Sequence, residues 1–277
     1  MNARAIIEQR EALVRLLGDD DPTTLALVKS QLASGGLQAL PELKALLTAT
    51  KGAPAHHLGE VVAVIEEQEA DALFAQVCSE FGEHGDLEDA VWRVAATFLP
   101  GDDFAEPRAL LDEWGREVAR RLIKAESPLD RAETLSEFLS HDIGLRGNED
   151  DYYNINNSLL PEVIESRCGI PITLSLIHML VGRRAGLSVH GIGLPGHFLV
   201  RHADVFFDPF HGGRRVGLDE CRELLQRQNL VLTPQHLAPA TPRQILIRIL
   251  TNIYYVAEQS DPPLAAKVGG WIEALRG

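Results

Sequence analysis

Three side chains are the natural starting point, because together they could carry covalent chemistry. Cys168 stands directly before Gly169-Ile170-Pro171, a string that reads as the start of a helix, and a helix N-terminus lowers a thiol pKa and favours the thiolate. His197 opens a short run with strand character, and Asp208 closes a later one eleven positions on. A hairpin would set the imidazole beside the carboxylate, so that Asp208 orients the ring. A thiol, a base and an orienting acid are the parts needed for nucleophilic attack on an acyl carbon: the base takes the thiol proton and later returns one to the leaving amine. Between Glu165 and Asp219 the acidic residues are Asp204 and Asp208, in a chain with forty Asp plus Glu, so a carboxylate at this strand end stands out.

Each of these residues also has a plainer reading. Cys168 could be a small, partly buried loop residue, and His197 a structural imidazole that holds the hairpin. Asp208 before Pro209 could simply cap a turn through its side-chain oxygen. Metal binding is a third possibility, because His197, His202, Asp208 and His211 fall within fifteen positions, and imidazole with carboxylate is a common ligand set. The reading carried forward has no metal and no cofactor. His178 and His190 read as core and surface residues, and Asn156-Asn157-Ser158 as a turn. Tyr152 and Tyr153 read as packing residues. The pairs Arg183-Arg184 and Arg214-Arg215 could attract an anion, but arginines at a helix end also complement its dipole.

The elements that must position these groups are legible from spacing. Pro171 to Ala185 reads as a helix with proline in its first turn and Gly186 just beyond its end. Its Ile172, Leu176, Ile177, Leu180 and Val181 make one broad apolar side suited to burial against a sheet. Leu187–Leu194, Phe198–His202 and Val205–Phe207 read as short strands. From Ala3 to about Pro100 the apolar residues Ile6, Leu13, Leu16, Leu17, Leu25, Val28 and Leu32 begin a helical pattern broken at GDDDP, GG and KGAP. Stacked helical pairs, similar to HEAT repeats, are expected there. Further helices are expected over Leu58–Phe98, Arg108–Ala125 and Pro128–His141.

Composition narrows the function classes. The 277 residues carry a formal net charge of −14, a field that repels phosphate backbones, so nucleic-acid binding is not expected. The acidity is uneven: residues 1–104 hold 7 basic and 18 acidic side chains, whereas residues 161–277 hold 12 and 10. Three widely spaced cysteines suit a reducing compartment better than a disulfide framework, and a cytoplasmic location is expected. Neither a signal peptide nor a membrane-spanning run is seen. The nucleotide-phosphate motif G-x-x-x-x-G-K-[ST] is absent from the sequence, and the glycines of GIGLPG lead into a strand and not a helix, so that run is not read as a phosphate loop.

The run NINNSLLPEVIESRCGIPITLSLIHMLVGRRAGL, followed by VHGIGLPGHFLVRH and FFDPFHGG, resembles the transglutaminase-like core of the bacterial SirB family, related to invasion-regulator homologues and shared with certain F-box proteins. The likeness spans roughly Arg146 to Gly213, and TPRQILIRILTNIYYVAEQSDPPLA resembles the start of the family's tetratricopeptide-like tail. Together with the helical pattern of the first hundred residues and the helix-and-strand pattern that follows, the likeness leads to the expectation of an α+β chain with three parts. Residues 1–103 would form the HEAT-like helical domain. Residues 104–235 would form a papain-like transglutaminase core, with a central helix on a small antiparallel sheet. Residues 236–277 would form a short helical tail. His197 and Asp208 match the family's histidine and aspartate, whereas Cys168 falls about three residues before the position expected for the nucleophile, near Pro171 to Thr173. Two functions follow: cysteine-dependent acyl transfer or amide hydrolysis by Cys168, His197 and Asp208, or a catalytically inactive module that binds a protein or peptide partner.

Overall fold

The computed structural model describes residues 3–277. Met1, Asn2 and the side chains of residues 1–8, Ile6 of the first apolar repeat among them, lie outside the described residues. The chain forms two compact units, one of residues up to Phe74 with Ala96–Asp102, the other of Ala75–Ala95 with Asp103–Gly277.

The first unit is helical. Its elements are α1 (Ala3–Leu16), α2 (Pro22–Ala33), α3 (Gly36–Ala49) and the greater part of α4 (Ala53–Glu80). The expected breaks are where the helices end: Asp21 caps α2 by accepting from the Thr24 amide at 2.8 Å, with Pro22 in the first turn, where its missing N–H costs nothing. Val14, Leu17, Val28, Leu32, Leu43, Leu58, Val61 and Ile65 fill one core, the burial that holds these helices together.

The second unit begins with the end of α4 and most of α5 (Leu87–Ala96), and continues through α6 (Ala105–Arg121) and α7 (Pro128–Glu137). Ser127 and Asp130 cap α7 reciprocally, and a π-turn over Phe138–Asp142 extends it. Two-residue strands β1 (Arg146–Gly147) and β2 (Cys168–Gly169) pair in parallel, with α8 (Leu160–Ser166) between them in sequence. Helix α9 (Pro171–Arg184) follows β2 and is buried along most of its length, its apolar residues joined by Thr173, Ser175 and His178. It packs on β3 (Val189–Leu194) and β4 (His197–His202) of an antiparallel sheet completed by β5 (Val205–Asp208) and β6 (Arg214–Val216), in the order β3-β4-β5-β6. Strand β6 is the member of this four-stranded sheet that the sequence pattern missed, since RRV is too short and too charged to show alternation. Helices α10 (Leu218–Gln226), α11 (Pro242–Ser260) and α12 (Pro262–Arg276) end the chain, the last two packed against each other. A mostly helical α+β chain with small sheets is thus what the residues form. No helix among the described residues is long and apolar enough to cross a membrane.

Candidate functional site

The hairpin between β3 and β4 turns at Pro195-Gly196, with Leu194 paired to His197 and Gly196 at φ +72°. Proline followed by a residue of positive φ suits a tight two-residue turn, and it places His197 at the first position of β4. In the neighbouring ladder Val200 pairs with Phe207, so continuing the register puts Asp208 across from Leu199. Residues 197 and 199 share a face, which makes His197 and Asp208 diagonal neighbours on it. The ring meets the carboxylate as expected, with His197 Nε2 2.9 Å from Asp208 Oδ2. A slip of one residue in this ladder would send one of them to the other face.

Asp208 is 1% exposed and its carboxylate accepts four hydrogen bonds. Oδ1 accepts from the amides of Phe210 and His211 at 3.1 and 3.3 Å. Oδ2 accepts from His197 and from His211 Nδ1, the latter at 2.7 Å. Burial by itself would raise the carboxyl pKa, but the hydrogen bonds and charge interactions of His197, then of His211, outweigh it and hold Asp208 below the usual carboxylate range. With Nε2–H donated to this anion, the Nδ1 of a neutral His197 presents a lone pair, the tautomer a general base requires.

The turn that returns His211 to Asp208 is built by the GG of DPFHGG. Gly212 and Gly213 take φ of +71° and +68°, and a Cβ on Gly213 would sit 2.3 Å from Ser140 Oγ and 2.4 Å from Ser136 Oγ. The Gly213 amide donates to the Asp208 carbonyl at 2.8 Å, and Ser136 Oγ donates to the Gly213 carbonyl at 2.7 Å. A cleft of about 340 Å³ opens beside these groups, lined by His197, Asp208, His211, Arg214, Glu220 and Arg227 among others.

Cys168 sits elsewhere around the same centre. It is half-buried in β2, three residues before the first residue of α9, and its hydrogen bonds are backbone ones to the Ser166 hydroxyl. Strand β1 links it to the Asp208 loop: Gly147 pairs with Gly169 on one side, and its amide donates to the Phe210 carbonyl at 3.0 Å on the other. Strand β1 thus bonds to the Cys168 strand and to that loop. The thiol makes no hydrogen bond to His197, and Cys168 does not line the cleft. The other two cysteines are buried, and burial pushes the Cys78 thiol up to about 12. In the first turn of α9 the Thr173 hydroxyl is buried without a hydrogen-bond partner.

The remaining residues singled out in the sequence have defined places. His178 is 1% exposed in α9; Nδ1 lies 3.0 Å from the Leu174 carbonyl, Nε2 has no partner, and burial lowers its pKa to about 4. His190 is exposed. His202 bonds to the Ser188 carbonyl at the far end of β4 and takes no part in the cluster. Asn156 and Asn157 shape a turn: Asn154 accepts from the Asn156 amide, and Asn157 donates to the Asp151 and Tyr152 carbonyls. Tyr152 stands edge-on to Phe210 with ring centres 6.0 Å apart, while Tyr153 is 72% exposed. Arg183 and Arg184 both engage Glu88, Arg184 at 2.6 Å, and Arg214 pairs with Glu220. What the sequence reading missed was the hold of His211 on Asp208, whose signal was the spacing of three residues within a turn ending in two glycines.

Residues 105–251, more than half of the chain, match the transglutaminase-like superfamily. A UPF0162 protein of Pseudomonas aeruginosa is 34% identical over 185 residues, covering 65% of this chain and 67% of that protein. A UPF0162 protein of Xylella fastidiosa is 39% identical over 144 residues, 48% of this chain and 51% of its own length, so the chain spans about half the length of that relative. The F-box only protein 21 of mouse is 28% identical over 120 residues, 39% of this chain and 19% of the mouse protein. No solved structure matches the chain.

Proposed function

The chain belongs to the transglutaminase-like superfamily, and on that premise we propose that it performs cysteine-dependent acyl transfer or amide hydrolysis with Cys168, His197 and Asp208. The observation that carries this reading is the bond of 2.9 Å from His197 to a buried carboxylate, which leaves Nδ1 as a base. In the reaction the Cys168 thiol gives its proton to His197 and its sulfur bonds to the carbonyl carbon of a carboxamide. Collapse of the adduct breaks the C–N bond, and the imidazolium returns the proton to the departing amine. Water or a second amine then takes the acyl group from sulfur. The thiol makes no hydrogen bond to His197 in this structure, and apo sites of this kind tighten when substrate binds. The fold we assign to the second unit is the papain-like one, of the SirB type, with α11 and α12 as a shortened tetratricopeptide-like tail. Three free cysteines suit a reducing cytoplasm.

The test is the rate at which iodoacetamide modifies Cys168 in the folded protein, read by mass spectrometry of the peptide that contains it. An activated thiol labels at least about tenfold faster in the wild type than in His197→Ala at neutral pH, because the imidazole is what holds the thiolate. Equal rates in the two proteins overturn the assignment. The observation that favours a second reading is the position of Cys168, without a thiol hydrogen bond and outside the cleft. In that reading the core is a catalytically inactive scaffold for a protein or peptide partner, and equal labelling rates are what it expects.

A further inference from the structure

Three potential metal ligands meet in the lining of the cleft. His197 Nε2, Asp208 Oδ2 and His211 Nδ1 all lie within 4.8 Å of one another, and each nitrogen is within 2.9 Å of the carboxylate oxygen. Zn–N and Zn–O bonds of about 2.0–2.2 Å set at 90 to 110° place two donor atoms roughly 3.0–3.4 Å apart. The two nitrogen-to-oxygen edges would therefore open by a few tenths of an ångström to admit an ion. We propose that His197, Asp208 and His211 form a site for a borderline divalent cation such as Zn²⁺ or Co²⁺, with an open coordination position facing the cleft.

The chemistry of the donors sets the class of ion. Two imidazoles with one carboxylate suit zinc and its neighbours, whereas Ca²⁺ and Mg²⁺ take oxygen ligands. Three protein ligands and a solvent-facing fourth position are the arrangement of an accessible site, and the His211 side chain is 47% exposed, which gives the ion its way in. Asp208 cannot turn away, because Oδ1 is fixed by two backbone amides. The supporting groups are thus built before any ion arrives. Arg214 lies 4.0 Å from Asp208 Oδ2 and is paired with Glu220, while Arg227 lines the same cleft and Arg248 donates to the His197 carbonyl at 3.2 Å. Binding requires each imidazole to give up the N–H that now points at Asp208, so the proton is carried on the other ring nitrogen. A cation here occupies Nε2 of His197 in place of its hydrogen bond to Asp208.

Another group of the same composition, His56, His57 and Glu60, lies on α4 and must be removed from the measurement. The experiment therefore titrates Co²⁺, followed by its visible absorption, and Zn²⁺, followed by calorimetry, into the full chain carrying His56→Ala and His57→Ala. One equivalent is expected to bind, without the sulfur-to-cobalt charge-transfer absorption that a Cys168 ligand would add. His211→Ala in that background should weaken it at least about tenfold, since it removes a ligand from the exposed rim. Arg214→Gln should tighten it, since it removes the positive charge beside Asp208. No binding, binding unchanged by His211→Ala, or a thiolate absorption band each overturns the proposal. Iodoacetamide labelling of Cys168 without metal is read separately, so the two proposals stand or fall apart from each other.

Discussion

Among the described residues two clusters each join two histidines to one carboxylate, and they behave differently. His56, His57 and Glu60 stand on α4 in the first unit, and His197, Asp208 and His211 in the second. On α4 the acid is reached because residues three and four apart share a helix face. Its carboxylate is 47% exposed, and hydrogen bonds from Lys29 and His57 bring its pKa to about 2. Around Asp208 the acid is reached through a sheet register and a glycine turn, and the carboxylate side chain is 2% exposed. Spacing along one helix yields an ion pair that water can replace. Convergence of separate strands yields a carboxylate that has no substitute for its partners once it is buried.

The largest effect should come from Asp208→Asn. It replaces a buried anion that accepts four hydrogen bonds and should cost about 4 kcal/mol in urea unfolding; a loss below about 1 kcal/mol would show that the burial does not matter energetically. Second is His178, which tests burial without any acid. Its folded pKa of about 4 lies below the ordinary 6.5, so the unfolded chain takes up the proton first. Stability should be full above pH 6.5 and fall as the pH drops toward 4, by on the order of 3 kcal/mol. In His178→Leu this pH dependence should be missing from urea midpoints across that window.

Third is Gly213→Ala, which spares every side chain of the buried cluster but demands a positive φ and pushes a methyl against two serine hydroxyls. About 2 kcal/mol of lost stability is expected from thermal melting. A neutral result would mean that the turn adapts and does not fix His211. Smallest is Glu60→Gln, the counterpart of the first change on α4, whose melting temperature should match the wild type within error because exposed pairs of this kind contribute little. A clear drop there would erase the contrast between the clusters.

Much of the site was legible because its signals are local. Pro171 and Gly186 marked the ends of α9, and Pro195-Gly196 marked the turn that starts β4 at His197. The eleven residues from His197 to Asp208 span one strand, a short turn and another strand, so a hairpin brings them together. Contacts made at long range left no such mark. Arg183 and Arg184 read as a helix-end pair, yet they are held by Glu88, 95 and 96 residues away. The three strand-like runs gave no hint of β6, and the β1–β2 pairing that contains Cys168 is two residues long on each side, too short for any periodicity.

The sequence by itself determined the α+β make-up, the helix that follows Cys168 and the meeting of His197 with Asp208, because turn chemistry and apolar period act over a few neighbouring residues. Tertiary structure alone decided that His211 shares the Asp208 oxygen, that burial leaves His178 Nε2 without a partner and lowers its pKa, and that the Cys168 thiol makes no hydrogen bond to His197. Those outcomes depend on which surfaces exclude water and which strands lie side by side, and burial and register are properties of the packed chain.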